Sequence, residues 1–564
     1  MNKLINKTNI ISLVISGTFS LSVIFLIFIK YFQNYHLSSK RALVGLVVWG
    51  ALVLVSYFFN KKIYSNKQIS GNYYRSLVFF GIISLLLIPF GLPIPHYPVA
   101  TYFQHVSNIQ IVVHATDTNF QPVKLRGVWL EMNNKKISSS NFALSGDWIE
   151  DSGDFFLEPG TTGNLTWQGP VSELVKLRIF PMDGNVGINI MWDGEIKNIL
   201  LSDETFVYPK KNLTPEWYYL SILVSQYLFF AYMLFVFFSF IESFQISSKN
   251  SYLIFAIILL LTFYTVNKHF QSPDIVEKFE LQINYHKSVL STQAPSPWQY
   301  RVLSEWVVEG FVRFFDVLGL NLSYYWVYYL LRLIQNALIF GGAFIYYRKL
   351  GFSNYLTILG MIFIAGSLVN SFYKSGFSVN TYFDIIFYLI SVIFILNFSF
   401  GFLPVLMIIA SLNRETSGLI PFLALVRVSE FQRHKSAIIF IGLSFLCWLV
   451  VFFVLRFVIP AEELFIPYGH PPGIPLLMYN LSPSWFGLLF RFFGFVPILG
   501  ILWYYSWPKP LKQFFFVLVP IWVIIHLFAS VVAEARLFLV PQIILFVPSF
   551  LVMVNWTHHK LGLD

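Results

Sequence analysis

The feature that most constrains this chain is a succession of apolar runs near the length of a bilayer crossing, interrupted once by a long stretch of different pattern. Runs at about 9–30, 42–59 and 76–93 approach the ~20 residues that a membrane-spanning helix needs. From Pro93 to Trp217 hydrophobicity collapses, and apolar and polar residues alternate between Gly, Asn, Asp and Pro. Apolar runs resume near 217–241, 252–267, 323–347, 354–370, 380–397, 402–412, 417–428, 436–457, 486–505, 513–532 and 538–555. Only 12% of the 564 residues are charged and the mean hydropathy is +0.65, whereas soluble domains run nearer ~25% charged. The pattern predicts a polytopic α-helical membrane protein with about 13–14 transmembrane or re-entrant helices.

The interruption predicts a water-exposed all-β insert. "NIQIVVHAT", "VKLRGVWLEM", "GNLTWQG", "LVKLRIFPM" and "VGINIMWDG" read as strands, and "MDGN" and "WDGE" offer the Asp-Gly chemistry that hairpin turns favour. Short strands at regular spacing point to a β-sandwich. The expected organisation is therefore 1–93 as N-terminal membrane helices, 94–216 as an extracytoplasmic β-sandwich, and 217–564 as a second membrane region with an outer loop over 268–320.

Lys and Arg outnumber Asp and Glu, 38 to 28. Positive-inside bias and anionic lipid account for this excess. No basic run interleaved with aromatics suggests nucleic acid. Lys61, Lys62, Lys67 and Arg75 place the 60–75 loop in the cytoplasm, so the next span delivers the β-insert outside. Continuing the count puts Arg348, Lys349, Arg427, Arg433, Lys435, Lys509 and Lys512 inside, while Lys40 and Arg41 fall outside against the rule. The lone Cys447 excludes a disulfide framework and a cysteine-based metal site within the chain. The run from Ile10 to Ile29 is too long for a signal-peptide core and reads as a retained helix.

On this count three charged spots emerge outside: the 268–302 loop, the "LNRET" tip and the "AEAR" turn. The loop carries Asp274, Glu277, Glu280 and Glu305. A carboxylate at a membrane–water boundary is partly desolvated, which suits it to general-base work or cation binding. For any one of these acids an ordinary solvated loop accounts for the residue as well. In "SPWQYRVL", Arg301 opens an amphipathic stretch and either binds a phosphate or snorkels to headgroups. Asp384 lies about one turn inside its span, where an ionisable group costs roughly 2.5 kcal/mol or more and is functional by default. Arg414 with Glu415, and Glu534 with Arg536, read as two carboxylate–guanidinium pairs, and Arg332, deeper in a span, is a candidate to pair with a carboxylate or a lipid phosphate. No P-loop, GxGxxG or Gly-x-Ser-x-Gly is present, so ATP-driven transport and serine-hydrolase chemistry lack support.

An acidic outer loop, "PWQYRVL", an Asp near the outer end of a span, "LNRET", and an E-x-R before the last helix together resemble integral-membrane glycosyltransferases of the GT-C class, over roughly residues 250–555. The resemblance implies transfer of a hexosyl or mannosyl-type sugar from a polyprenyl-phosphate donor to an envelope glycan, lipid or protein acceptor outside the plasma membrane of a prokaryote. It implies that Asp274, Glu277 or Glu280 activates the acceptor hydroxyl, or that Asp274 holds a divalent cation such as Mg or Mn. It further implies that Arg301, Arg414 and Arg536, with Asp384, Glu415 and Glu534, shape the electrostatics around the donor phosphate. The chain departs from the pattern in lacking an Asp-x-Asp or Asp-Glu pair, since the loop has only "PDIVEKFE". In the β-insert, "LVKLRIFPMDGNVGINIMWDG" resembles sandwich segments of surface-polysaccharide glycosyltransferases, in which Trp129, Trp148, Trp167 and Trp192 would either stack on sugars or fill the core. Two rivals remain. A transporter or flippase of lipid-linked glycans would show polar residues through mid-membrane and repeat symmetry, and a non-catalytic glycan-binding assembly protein would not need the outer Arg/Glu pairs.

The runs flanking "NRET" are the short ones. Eleven residues of helix rise only about 16 Å against a ~30 Å core, so 402–412 and 417–428 are expected to form a re-entrant hairpin with Arg414 at a buried tip.

Overall fold

The computed structural model describes residues 14–25, 48–50, 52–54, 56–58, 72–87, 105–114, 123–132, 135–137, 142–151, 154–158, 161–171, 175–183, 186–201, 206–207, 216–243, 251–272, 275–320, 322–372, 377–430, 434–459, 464–466, 469–482, 489, 492–532 and 534–560. The chain divides into two compact units: Met1–Lys62 with Ile94–Tyr232, and Ile63–Pro93 with Met233–Asp564.

The first unit contains the short apolar helices α1 (Val14–Phe25) and α2 (Val48–Phe58) and two antiparallel sheets. The five-stranded sheet runs β10 (Glu195–Leu201), β9 (Val186–Trp192), β1 (His105–His114), β7 (Thr162–Val171), β4 (Ala143–Gly146). The second runs β11 (Phe206–Val207), β8 (Val175–Asp183), β2 (Val123–Met132), β6 (Asp154–Leu157), β5 (Ile149–Asp151), with β3 (Lys135–Ile137) also on β2. Alternation decides the buried face. Ile109, Ile111 and Val113 of β1 are buried and lie opposite Trp167, Leu165 and Gly163 on one side and Trp192, Ile190 and Ile188 on the other. Leu157, Leu177 and Ile179 supply the buried face of the second sheet.

The expected hairpin at "WDGE" forms: Asp193 and Gly194 both take positive φ, at 49° and 86°, between β9 and β10. This is the geometry of a two-residue primed turn. The hairpin expected at "MDGN" does not form, because β8 and β9 belong to different sheets. Turn chemistry specifies that a chain reverses, not which sheet receives it. Trp167 and Trp192 are core residues, Trp148 is half-buried against Gly163, and the side chain of Trp129 lies outside the described residues.

In the second unit, α3 (Asn72–Leu87) precedes a series beginning in the second half of α4 (Glu216–Ser243). There follow α5 (Ser251–Phe270), α6 (Ile275–Leu290), α7 (Val302–Val317), α8 (Tyr324–Lys349), α9 (Asn354–Ser371) and α10 (Val379–Leu396). Then come α11 (Leu403–Asn413), α12 (Ile420–Leu425), α13 (His434–Val458), α14 (Ile474–Asn480), α15 (Val496–Leu502), α16 (Lys509–Ala529) and α17 (Ala535–Lys560). Among the described residues seven helices are long and apolar enough to cross a membrane, and the chain is a polytopic helical membrane protein.

The 268–302 stretch, expected as a loop, holds the 16-residue helix α6. Its inward face mixes Ile275, Phe279 and Ile283, which pack on the core, with buried Lys278, Gln282 and His286, so its apolar period is diluted by polar residues. The "LNRET" hairpin has the expected dimensions. α11 has 11 residues, Glu415–Leu419 forms a 3-10 turn, and α12 has 6 residues. The Trp448 indole donates to the Glu415 carbonyl, 3.2 Å. Trp448 lies ten residues before the end of α13, about 15 Å along its axis. The tip backbone is therefore level with Trp448, and Arg456 of the last turn of α13 reaches back to Glu415.

Candidate functional site

The ends of α7, α10, α11, α13 and α17 meet around this tip, and each brings a charge. Arg414 has extended backbone, φ −163° and ψ 144°, so its side chain and that of Glu415 leave the chain in opposite directions. The two do not form the ion pair that their adjacency suggests. Arg414 turns to Asp384, in the second turn of α10, with Nη1 3.6 Å from Oδ2. Glu415 turns the other way, to Arg301 at 3.3 Å and to Arg456 at 3.5 Å. Asp384 also accepts from the Thr416 hydroxyl at 3.1 Å. Tyr388 donates to the Thr416 carbonyl, and the Asn413 amide donates to the Asn380 carbonyl at 2.9 Å. These bonds tie the tip to α10.

Glu534 and Arg536 form the expected pair, at 2.7 Å. Arg301 and Arg536 are both close enough to act on Arg414 as like charges. Four guanidiniums, Arg301, Arg414, Arg456 and Arg536, thus share one region with three carboxylates, Asp384, Glu415 and Glu534. Arg414 is 4% exposed, and its Nε and Nη1, together with Arg301 Nε, have no hydrogen-bond partner. A buried guanidinium with unused donors has the chemistry to bond an anion.

The loop carboxylates are placed less favourably. Asp274 and the side chain of Glu277 lie outside the described residues. Glu280 is exposed on the outward face of α6 and joins none of these pairs. The inward face of α6 presents His286, whose Nδ1 lies 2.7 Å from Glu305 Oε2, both groups buried. Glu309 approaches the other ring nitrogen at 3.6 Å and bonds Arg313 at 2.8 Å. The Arg313 hydrogen bond holds the Glu309 carboxyl below the usual carboxylate range, against the smaller opposing effect of burial. Among the described residues no group of three or more His, Cys, Asp or Glu is arranged to hold a metal ion.

Sequence reasoning missed Arg456, His286 and Thr416. Arg456 was discoverable, because it is a basic residue at the end of a span that the orientation count assigns to the outside. His286 had no such mark, since only the fold of α6 onto α7 gives it Glu305. Among the described residues the Arg332 guanidinium pairs with no carboxylate, and it bonds the Phe377 and Ser378 carbonyls. Asn480, in an Asn-x-Ser frame, is buried and holds the Leu527 and Ser530 carbonyls and the Val532 amide. Compared with family models, with curated proteins and with solved structures, the chain matches none of them.

Proposed function

We propose that the chain is a membrane glycosyltransferase that moves a sugar from a polyprenyl-phosphate donor to an envelope acceptor on the outer face of a prokaryotic plasma membrane. The observation that carries this reading is the buried Arg414, with unused donors, among Arg301, Arg456 and Arg536 at converging helix ends. Departure of a lipid phosphate from the anomeric carbon concentrates negative charge on phosphoryl oxygens. Fixed guanidiniums in a poorly solvated setting stabilise that charge without reorganising. In this reading Asp384 and Glu415 are positioning residues that hold Arg414 and Arg301. A carboxylate of the 274–280 segment takes the acceptor hydroxyl proton as the new glycosidic bond forms.

The test is sugar transfer by the purified full chain in nanodiscs, from radiolabelled polyprenyl-phosphate sugars, comparing wild type with Asp274→Asn, Arg301→Ala and Arg414→Gln. Wild-type transfer and loss of about 100-fold or more in the arginine variants are expected. Inertness toward every donor, together with movement of lipid-linked glycan across the bilayer, would establish the rival. One observation favours that rival. Arg332, Gln335 and Asn336 form a buried polar stripe on α8, well inside a 26-residue helix.

A further inference from the structure

The sheet of β10, β9, β1, β7 and β4 turns one face to the sandwich core, and strand alternation sets a different class of residue on the other. Around the buried Ile109, Ile111 and Val113, β1 presents Asn108, Gln110 and Val112 outward. Around the buried Leu165 and Trp167, β7 presents Asn164, Thr166 and Gln168. In register, one outward row crosses all five strands: Ser145, Asn164, Val112, Asn189, Asn198. A second row runs Thr166, Gln110, Met191, Ile196, and Asn108 lies opposite Gln168 in a third. Each of these residues is exposed or half-buried.

Asn108, Gln110, Asn164, Gln168, Asn189 and Asn198 thus put six amides on this face, and no Lys, Arg, Asp or Glu occupies a described outward strand position. Strand formation does not call for them, since asparagine is depleted in strands. Nor is neutrality a property of the whole domain. In the second sheet Glu131 is in register with Lys176 on one side and Lys136 on the other. Beside the long row His114 is the titratable side chain, with Nε2 3.2 Å from Asn189 Nδ2. Within the row Asn164 Oδ1 has no hydrogen-bond partner.

We infer that this face binds a neutral glycan, as a short run of linked sugars lying across the strands. A sugar hydroxyl both donates and accepts, and an Asn or Gln amide does the same, so one amide bonds two neighbouring hydroxyls. Lys and Arg only donate and carboxylates only accept, and burying any of them against an uncharged partner forfeits their hydration. Val112, Met191 and Ile196 offer apolar contact to the C–H faces of the rings. From β7 to β10 the long row spans three strand spacings, about 14 Å, the scale of an oligosaccharide rather than of one sugar. A nucleic acid or an acidic glycan calls for cations at positions that here hold amides. The inference concerns the β-sandwich alone and uses no step of sugar transfer, so either reading fails without the other.

The test is retention of the labelled full chain, in phosphatidylcholine nanodiscs, on an array of maltoheptaose, cellohexaose, laminarihexaose and linear mannohexaose. Hexagalacturonate serves as the acidic comparison and empty discs as the blank. Saturable retention on a neutral glycan is expected. Asn189→Ala/Asn198→Ala should weaken the apparent affinity about tenfold or more, through loss of two neutral hydrogen-bonding groups. Lys197→Ala, on the same edge strand but in register with the buried Ile190, should leave it within about twofold. If the double variant does not fold, Asn108→Ala/Gln168→Ala, at two exposed positions, must show the same selective loss. A face that only keeps the sandwich soluble gives no retention. A face that packs on a second copy gives a mass that doubles with concentration and stays monomeric in Asn198→Ala, as mass photometry reads. Either result, retention on hexagalacturonate alone, retention that the amide variants leave unchanged, or equal loss in Lys197→Ala would overturn the inference.

Discussion

The helices of the second unit carry a charge knot at each end, and the two differ in kind. At one end Glu430 accepts from Arg427 at 2.5 Å, Lys509 at 3.3 Å and the Gln513 amide at 3.2 Å. Lys509 is 70% exposed, so the arrangement lies beside solvent. At the other end Arg414 Nη1 approaches Asp384 only to 3.6 Å, nearly without exposure, and neither it nor Nε makes a hydrogen bond. The first knot gathers several donors onto one carboxylate beside solvent, as a structural tie does. The second buries a guanidinium whose nearest described carboxylate lies beyond hydrogen-bond distance. The contrast is between a tie completed by its own side chains and a guanidinium with donors to spare, the feature on which the proposed function rests.

The largest effect expected is from Arg414→Ala. It leaves Asp384 buried and unpaired, and is expected to cost about 3–5 kcal/mol. The double variant Asp384→Asn/Arg414→Gln should cost less than the sum of its single changes. A double-mutant cycle by denaturant unfolding checks this, and strict additivity would erase the contrast between the knots. Next is Gly418→Ala. A Cβ there would lie 2.6 Å from the Trp448 ring, so the tip must shift against α13 at roughly 1–3 kcal/mol. Transfer should fall with stability because Glu415 moves too, and retention of full activity would detach the tip from the site.

Lys509→Ala removes one exposed partner of Glu430 and is expected to cost about 0.2–1 kcal/mol, with transfer unchanged. A loss of activity there would make the two knots alike. The smallest effect concerns Glu309. Its folded pKa is depressed, so its contribution is present above the unfolded carboxylate value and disappears as pH falls through the lower folded one. An i,i+4 pair of this kind contributes roughly 0.3–0.5 kcal/mol. Arg313→Ala should flatten the melting temperature between about pH 5 and pH 3, and an unchanged acid slope would remove Arg313 as the cause.

Much of the helical scaffold was legible because hydropathy is local and additive. The spans expected at 354–370 and 380–397 match α9 and α10 within a residue or so at each end. The "VKLRGVWLEM" strand coincides with β2. Strands β3, β4, β5, β6 and β11 were not anticipated, since they are short and lack a clear alternation. Helix α6 was hidden because Lys278, Gln282 and His286 are buried beside its apolar residues Ile275, Phe279 and Ile283. Candidate site residues were recognised as charges out of place, a local property, whereas their partners were not. Adjacency in the chain suggested Arg414 with Glu415, and the extended backbone at Arg414 separates them.

The sequence by itself determined that the chain crosses a membrane repeatedly, carries a strand-rich insert, and places Arg414 at the tip of a hairpin too short to span. Each follows from length, period and the cost of burying charge, which act within one segment. Only the tertiary structure decided which ends meet. It set Arg456 and Arg301 on Glu415, Asp384 on Arg414, and Glu305 on His286. It also set Arg332 on the Phe377 and Ser378 carbonyls. Such pairings depend on how helices distant in sequence pack, and Coulomb interactions between side chains reach across that packing with no trace in the local pattern.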